Sequence, residues 1–570
     1  MRLTDTRRLT GPSLLLDVPG AIVEAAVADD QAEALVAAWE RELGALWRET
    51  VGGRPATAHR VYRGGVSLAV GAPTDALYAA TEINEAAFGR AVAAMGGDAE
   101  AAMGGVGEMR SVETLRQSLA SESEPPLLDL EEAADAHGVT FLWDDDDASV
   151  GLGTGSRMWP VEDIPSPDEL DWGAIHDVPT AIVTGTNGKS TTARMLAQIV
   201  RAAGRTVGLT STDGVTVDGR TIAHGDYSGP GGARTALRER AVEVGVLEVA
   251  RGGILRRGLG LPRATAAAVT NVDEDHLGDY GIETVEQLAG VKFVVAKALG
   301  DGGALVTNHD DAHCRREAAR LAPELARRGA RVVWTGLAPE ALPDGPAASV
   351  VDGHVARRGA AGGWARVVAV DAVPAARGGA ARYNVRNALT AAALAHALGL
   401  PDAAVADGLR RFVSDADTNP GRGNVFDVGG ATVWVDFAHN AHALAALTET
   451  VAALPAARRL VMLSHAGDRT DREIRAVAEA VAGLGAARYV VAELPDYRRG
   501  RAPGEVPALL RGALLASGVA PGAIADAADP ADGTRAALAW AGPGDVLLLL
   551  VLSRRDDAMA AIREAGGVPA

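Results

Sequence analysis

One cysteine, Cys314, is all that 570 residues contain. This rules out an intramolecular disulfide and a cysteine metal cluster, and it fits a reducing compartment. Cys314 reads as a space-filling residue on a helix. Long apolar runs are missing as well. The longest, Val546–Leu552, is far too short to cross a bilayer and reads as a buried parallel strand. The opening MRLTDTRRLTGPS has arginines but no apolar stretch behind them, unlike a secretory signal. Basic surplus is also absent. The net charge is −19, which argues against nucleic-acid binding because that needs a cationic footprint; a local basic pocket is still allowed. The expectation is a cytoplasmic protein that engages neither nucleic acid nor membrane. What is present is ordinary for a globular chain, with 48% hydrophobic and 23% charged residues. The length exceeds what one core can hold, so about three domains are expected.

Residues 1–115 mix helix and strand signals. Gln31–Trp47 and Thr74–Met95 have helical spacing, and Gly64–Val70 reads as a strand, so a small α+β domain is expected. Residues 116–177 read as a linker punctuated by SESEPP and IPSPDE. Within it, two short β-like runs flank Asp144–Asp147 and predict a hairpin with an acidic, solvated tip. The glycines at 151, 153 and 155 precede no helix start, which weakens a phosphate-binding reading. From residue 178 to 412 strands alternate with helices: PTAIVTG, TVGLTST, VGVLEVA, AAAVTNV and GALVTN. That alternation predicts a central, mostly parallel sheet covered by helices. A second set follows over 413–570, with strands ATVWVDFAHN, RRLVMLSHAG, ARYVVAEL and GDVLLLLVLS. It predicts a separate doubly wound, Rossmann-like domain. The fold class is therefore α/β.

The sharpest local signal is Gly185-Thr186-Asn187-Gly188-Lys189-Ser190-Thr191, which follows an apolar strand and opens a helix. A P-loop needs that context. Its glycines let backbone N–H groups turn toward phosphate oxygens, and the helix adds its positive end. Lys189 would reach the β- and γ-phosphates of ATP, and Ser190 would ligate Mg²⁺. Strict GxxxxGK[ST] spacing fails because Val183 occupies the first glycine's position. No NKxD guanine-reading motif is present, which argues against a GTPase switch.

GTNGKS/T resembles the hallmark of the Mur ligase superfamily. The similarity continues in order through YSGPGGARTALRE, VGVLEVARGGILRRGLG, TNVDEDHLGDYGIETVEQLAGVK, NPGRGNVF and VDFAHNAHAL, as in the Mur half of cyanophycin synthetases. Those enzymes carry an ATP-grasp domain for which this chain has no room, so its backbone-extending activity is expected to be absent. The resemblance implies Mg²⁺ ligation by Glu248 and His276. Thr212 would touch a metal-bound water or a second metal. Lys292 matches the lysine that many members carbamylate; the resulting anion could hold a second Mg²⁺, with Lys297 the less favoured neighbour. The resemblance further places Asn384 and Asn387 at the adenine, Arg422 near phosphates and Asp436 near the ribose.

The implied chemistry is amide formation. ATP phosphorylates a carboxylate, an amine attacks the acyl phosphate, and ADP and phosphate leave. Lys189, Glu248, His276, Lys292 and Arg422 are the expected catalytic set. Arg234, Arg251 and Arg256 are available to an anionic acceptor, an acidic amino acid or peptide. Two alternatives stay open: a folate- or cell-wall-type ligase, and an ATP-binding scaffold without turnover. Residues 1–115 could bind substrate, mediate assembly or cap the core, and a homo-oligomer is open too.

Overall fold

The computed structural model describes residues 1–360 and 362–570. The N-terminal region is an antiparallel sheet in spatial order Arg2–Leu9, Gly20–Ala26, Gly65–Gly71, Thr57–Tyr62. Helices Ala32–Thr50 and Leu77–Ala94 pack on it. Leu35, Trp39, Leu43 and Leu46 recur at three- and four-residue spacing and point into this core. Trp39 is fully buried, and its indole N–H donates to Asn84 Oδ1 at 2.7 Å. That satisfies the one polar atom its burial would otherwise strand.

Residues 116–177 hold more than a hairpin. Helices Val112–Glu122 and Pro125–Ala136 lead into a three-stranded antiparallel sheet, Phe141–Trp143, Asp147–Val150 and Arg157–Pro160. The acidic tip is solvated at Asp145 and Asp146, as expected, but it also carries ion pairs. Asp144 accepts from Arg238 at 2.7 Å and pairs with Arg234 at 3.1 Å, while Asp145 pairs with Arg8 at 2.9 Å. Partly buried cations from neighbouring elements make this turn a cross-link between regions.

Among the described residues the central sheet has eleven strands. Its parallel middle runs Val207–Ser211, Val244–Glu248, Thr180–Thr184, Ala264–Val269, Leu299–Asn308, Arg331–Gly336 and Ala347–Val351. Antiparallel strands extend both ends. Thr180–Thr184 is buried at every position, as expected when helices cover both faces. Helix Ala312–Arg327 packs on this sheet and buries Cys314 completely.

The C-terminal domain has five parallel strands, ordered Ile524–Ala527, Arg488–Ala492, Arg459–Leu463, Val546–Leu550 and Ala431–Asp436. Antiparallel Asn424–Val428 and Val568–Pro569 close one edge. Val546–Leu550 is fully buried in the interior of the sheet. Among the described residues no helix is long and apolar enough to cross a membrane.

Candidate active site

A cavity of about 1250 Å³ lies at the carboxyl ends of the central strands, where open parallel sheets place their ligands. Its walls come from both the central and the C-terminal domain. Of the residues singled out in the sequence, all of Gly185–Thr191, Thr212, Glu248, His276, Lys292, Asn384, Asn387, Arg422 and Asp436 line it.

The loop begins where strand Thr180–Thr184 ends and closes at helix Lys189–Ala202. Gly188 has φ +83°, and a Cβ there would lie 2.3 Å from Asn387 Oδ1. Glycine is therefore required on both conformational and steric grounds. Asn271 grips the loop from below: its Oδ1 accepts from Asn187 N at 2.9 Å, and its Nδ2 donates to Asn187 O at 2.9 Å. Thr270 Oγ1 donates to the same carbonyl at 2.6 Å. Lys189 Nζ curls back to Gly185 O at 3.1 Å and Thr186 O at 3.0 Å. Burial pulls its pKa down, with Glu248 and Asp275 opposing.

Glu248 ends its strand at 1% exposure. Ser190 Oγ donates to its Oε1 at 3.0 Å, while Oε2 is buried without a partner. An orphaned carboxylate oxygen at a cavity wall is costly unless a cation or donor completes it. Oxygen donors from Ser190 and Glu248 suit Mg²⁺. Among the described residues no group of three His, Cys, Asp or Glu side chains forms a closed metal cage.

His276 has φ +53°. Burial and the nearby Arg469 and Arg251 drive its imidazole down to about 4, against the pull of Asp275, so it is neutral at pH 7. Its Nε2 accepts from Arg469 Nη2; ligation of a metal through that nitrogen requires this bond to open. Lys292 is 2% exposed. Burial first, then Lys189, lowers its ammonium to about 7, with Asp275 opposing.

Arg422 Nη2 reaches Thr212 Oγ1 at 3.4 Å. Asp436 is pushed up to about 6 by burial, partly offset by the Ala438 N–H and Arg422. The two asparagines of the helix Arg382–Ala397 are already engaged: Asn384 Nδ2 donates to Ala375 O at 2.9 Å and Asn387 Nδ2 to Asn384 Oδ1 at 3.1 Å. Arg251 and Arg256 face the cavity. Arg234 does not line it, contrary to expectation; its guanidinium is turned to Asp144 of the hairpin tip. Lys297 pairs with Asp17 at 2.8 Å.

Several participants were not foreseen. Arg469 and His465 reach the cavity from the C-terminal domain, and Asp275 sits beside His276. Asn440 and Asn187 exchange amide hydrogen bonds at 3.0 and 3.2 Å across the domain boundary. Asp213 accepts from Arg194 at 2.6 Å and from Arg555 of the last helix at 2.7 Å. These bridges hold the two domains against one cleft.

The family model for the Mur ligase middle domain matches residues 183–395, and that for the Mur ligase glutamate ligase domain matches 421–550. The chain belongs to the Mur ligase family. It is 36% identical to the cyanophycin synthetase of Synechocystis sp. over 369 residues, covering 62% of this chain and 40% of that one. The Trichormus variabilis cyanophycin synthetase is 34% identical over 346 residues, 58% and 37% of the two chains. This Mur ligase thus spans about two fifths of the length of these relatives. Two solved folds agree with its architecture. Escherichia coli FolC in complex with DHPP and ADP has TM-score 0.50 and 23% identity, covering 68% of this chain and 89% of that one. Mycobacterium tuberculosis folylpolyglutamate synthase complexed with ADP has TM-score 0.50 and 20% identity, covering 69% and 91%.

Proposed function

We propose that this Mur ligase is an ATP-dependent, ADP-forming carboxylate–amine ligase that adds an amino acid or other amine to an acidic amino acid or peptide. The observation that carries the reading is the glycine loop with Lys189, joined through Ser190 to a half-satisfied Glu248, at the wall of a cavity that two domains share.

ATP is bound by the loop Gly185–Thr191, with Asn384, Asn387 and Asp436 on the nucleoside side. Ser190 and Glu248 would hold Mg²⁺, with Thr212 and His276 beside it and Lys292, once carbamylated, supplying a further anionic ligand. That ion would neutralise charge on the transferring phosphoryl group. With its ammonium near 7, Lys292 presents a substantial fraction of free amine at neutral pH. Attack of that amine on carbon dioxide forms the carbamate and releases one proton.

A carboxylate resists attack by an amine. Transfer of the γ-phosphoryl group onto its oxygen makes a mixed anhydride with phosphate as leaving group. Lys189 and Arg422 stabilise the charge that moves during transfer, and Arg256 holds the anionic acceptor in place, with Arg251, itself paired with Asp279, beside it on the cavity wall. The amine then attacks the carbonyl carbon, phosphate departs, and the amine gives up its proton. Closure between domains keeps water from the acyl phosphate. The relatives named cyanophycin synthetase support an acidic acceptor.

The test combines ATP, Mg²⁺, pooled amino acids and acidic acceptors, read by ADP release and product mass. Amide products that vanish with Lys189→Ala support the proposal. AMP and pyrophosphate as products, or no product with any acidic acceptor, overturn it.

A further inference from the structure

The N-terminal sheet buries a cluster that the chemistry above does not use. Glu24, 4% exposed, accepts from Arg7 Nη2 at 2.8 Å, from Ser67 Oγ at 2.7 Å and from Tyr62 OH at 3.2 Å. Two of these partners face outward, onto the central domain. The Arg7 guanidinium lies 4.6 Å from the centre of the Tyr280 ring, and its Nε donates to Leu255 O at 3.1 Å. Tyr62 packs so closely on Gly281 that a Cβ there would lie 2.4 Å from the ring. Beside them Arg60 donates through Nη1 to Gly281 O at 2.9 Å and through Nη2 to Tyr280 O.

The backbone being held is unusual. His276 and Tyr280 both have positive φ, +53° and +54°, which residues bearing side chains rarely adopt. Such a loop persists only when its surroundings over-determine it. On the cavity side Arg251 donates to His276 O and to Asp279 Oδ2, each at 2.7 Å. On the far side the N-terminal residues supply the opposing grip. The same region also holds the helix Arg251–Arg257: Thr10 N donates to Arg257 O at 2.8 Å, alongside the Arg7 bond to Leu255.

We propose that the N-terminal domain is the positioning wall of the acceptor side of the site, with Arg60 as its principal positioning residue, steadied by Tyr62 and by Arg7 on Glu24. It sets the stretch Tyr280–Ile282 and the helix carrying Arg251 and Arg256, and so acts on acceptor binding more than on nucleotide binding. The acceptor assignment rests on the ligase reading; the mechanical one does not.

The test uses the 570-residue chain with Arg60→Ala, Arg60→Lys and Gly281→Ala. Hydrogen exchange is followed in 276–282 and, as an internal control, in 185–191. Loss of a charge-assisted bond in Arg60→Ala, and the clash of a Cβ with Tyr62 at a left-handed backbone position in Gly281→Ala, each predict about tenfold faster exchange in 276–282, with 185–191 unchanged. Arg60→Lys, which keeps the charge and one donor, should restore part of the protection. In the ligase assay Arg60→Ala should raise KM for the acidic acceptor about tenfold while KM for ATP and kcat move less than about threefold. Unchanged exchange in 276–282, or an equal rise in both segments, overturns the mechanical proposal. A parallel rise in both KM values overturns the acceptor-side assignment. If no acceptor is ever turned over, the ligase reading fails while the exchange result stands by itself.

Discussion

Asn440 joins two structural duties that substitution can separate. Its Oδ1 accepts from Ala443 N at 2.9 Å and caps the helix Ala441–Ala452. The same amide exchanges two hydrogen bonds with Asn187 of the phosphate loop. Asn440→Ala removes everything. The cap contributes about 1 kcal/mol, and each half-buried amide bond about 1 kcal/mol net. The cap loss falls on the C-terminal domain and lowers its melting temperature. The inter-domain part, about 2 kcal/mol, corresponds to roughly 30-fold weaker ATP binding if closure accompanies binding. Asn440→Asp keeps a cap acceptor and one bond from Asn187 Nδ2, but it turns a carboxylate oxygen toward Asn187 Oδ1. It should melt like the native protein and bind ATP about tenfold more weakly. Calorimetric ATP titrations of Asn187→Ala, Asn440→Ala and the double variant complete the cycle, with an expected coupling of about 1–2 kcal/mol. Strictly additive effects, or native ATP affinity in Asn440→Asp, would refute the view that this amide pair clamps the nucleotide cleft.

Gly188→Ala forces a side chain onto Asn387 in a left-handed backbone position and should abolish measurable ATP binding while leaving the fold cooperative; affinity within threefold of native contradicts this. Glu248→Gln keeps an acceptor for Ser190 but removes the buried charge. Mn²⁺ binding in the presence of ATP, followed by electron paramagnetic resonance, should weaken about tenfold or more while the melting temperature holds or rises. Asp436 is raised to about 6 by burial, above its unfolded value of about 3.9. Between those values the native state binds the extra proton, so this group costs stability as pH rises through that window. Asp436→Asn should therefore raise the melting temperature at pH 7.5 and leave it unchanged at pH 3.5; equal shifts at both pH values would contradict the sign.

Local chemistry made part of the site legible before any coordinates. The strand, loop and helix around Lys189 lie within about twenty consecutive residues, and each carries its own signal: an apolar run, glycines, then an amphipathic turn. Glu248 was legible only through the resemblance, because a lone carboxylate at a strand end reads as a surface residue until the matching motif around it is recognised. Arg469, His465, the Asn187–Asn440 bridge and the Asp213–Arg555 pair were hidden because they depend on segments hundreds of residues apart meeting across a cleft. Arg234 was misplaced for the opposite reason, since a nearby carboxylate at Asp144 competes for it. The antiparallel strands around His354–Arg358 went unread as well. They lie at the far end of the sheet, half-buried, where the pressure for a continuous apolar run is weak.

The burial of the lone Cys314 has an experimental use. Its thiol has no solvent exposure, and burial pushes its ionisation well above the usual thiol range, so a thiol reagent in solution should modify the native chain only when helix Ala312–Arg327 lifts from the sheet. The chain therefore carries a single-site opening reporter beneath the central domain, one that needs no engineered label.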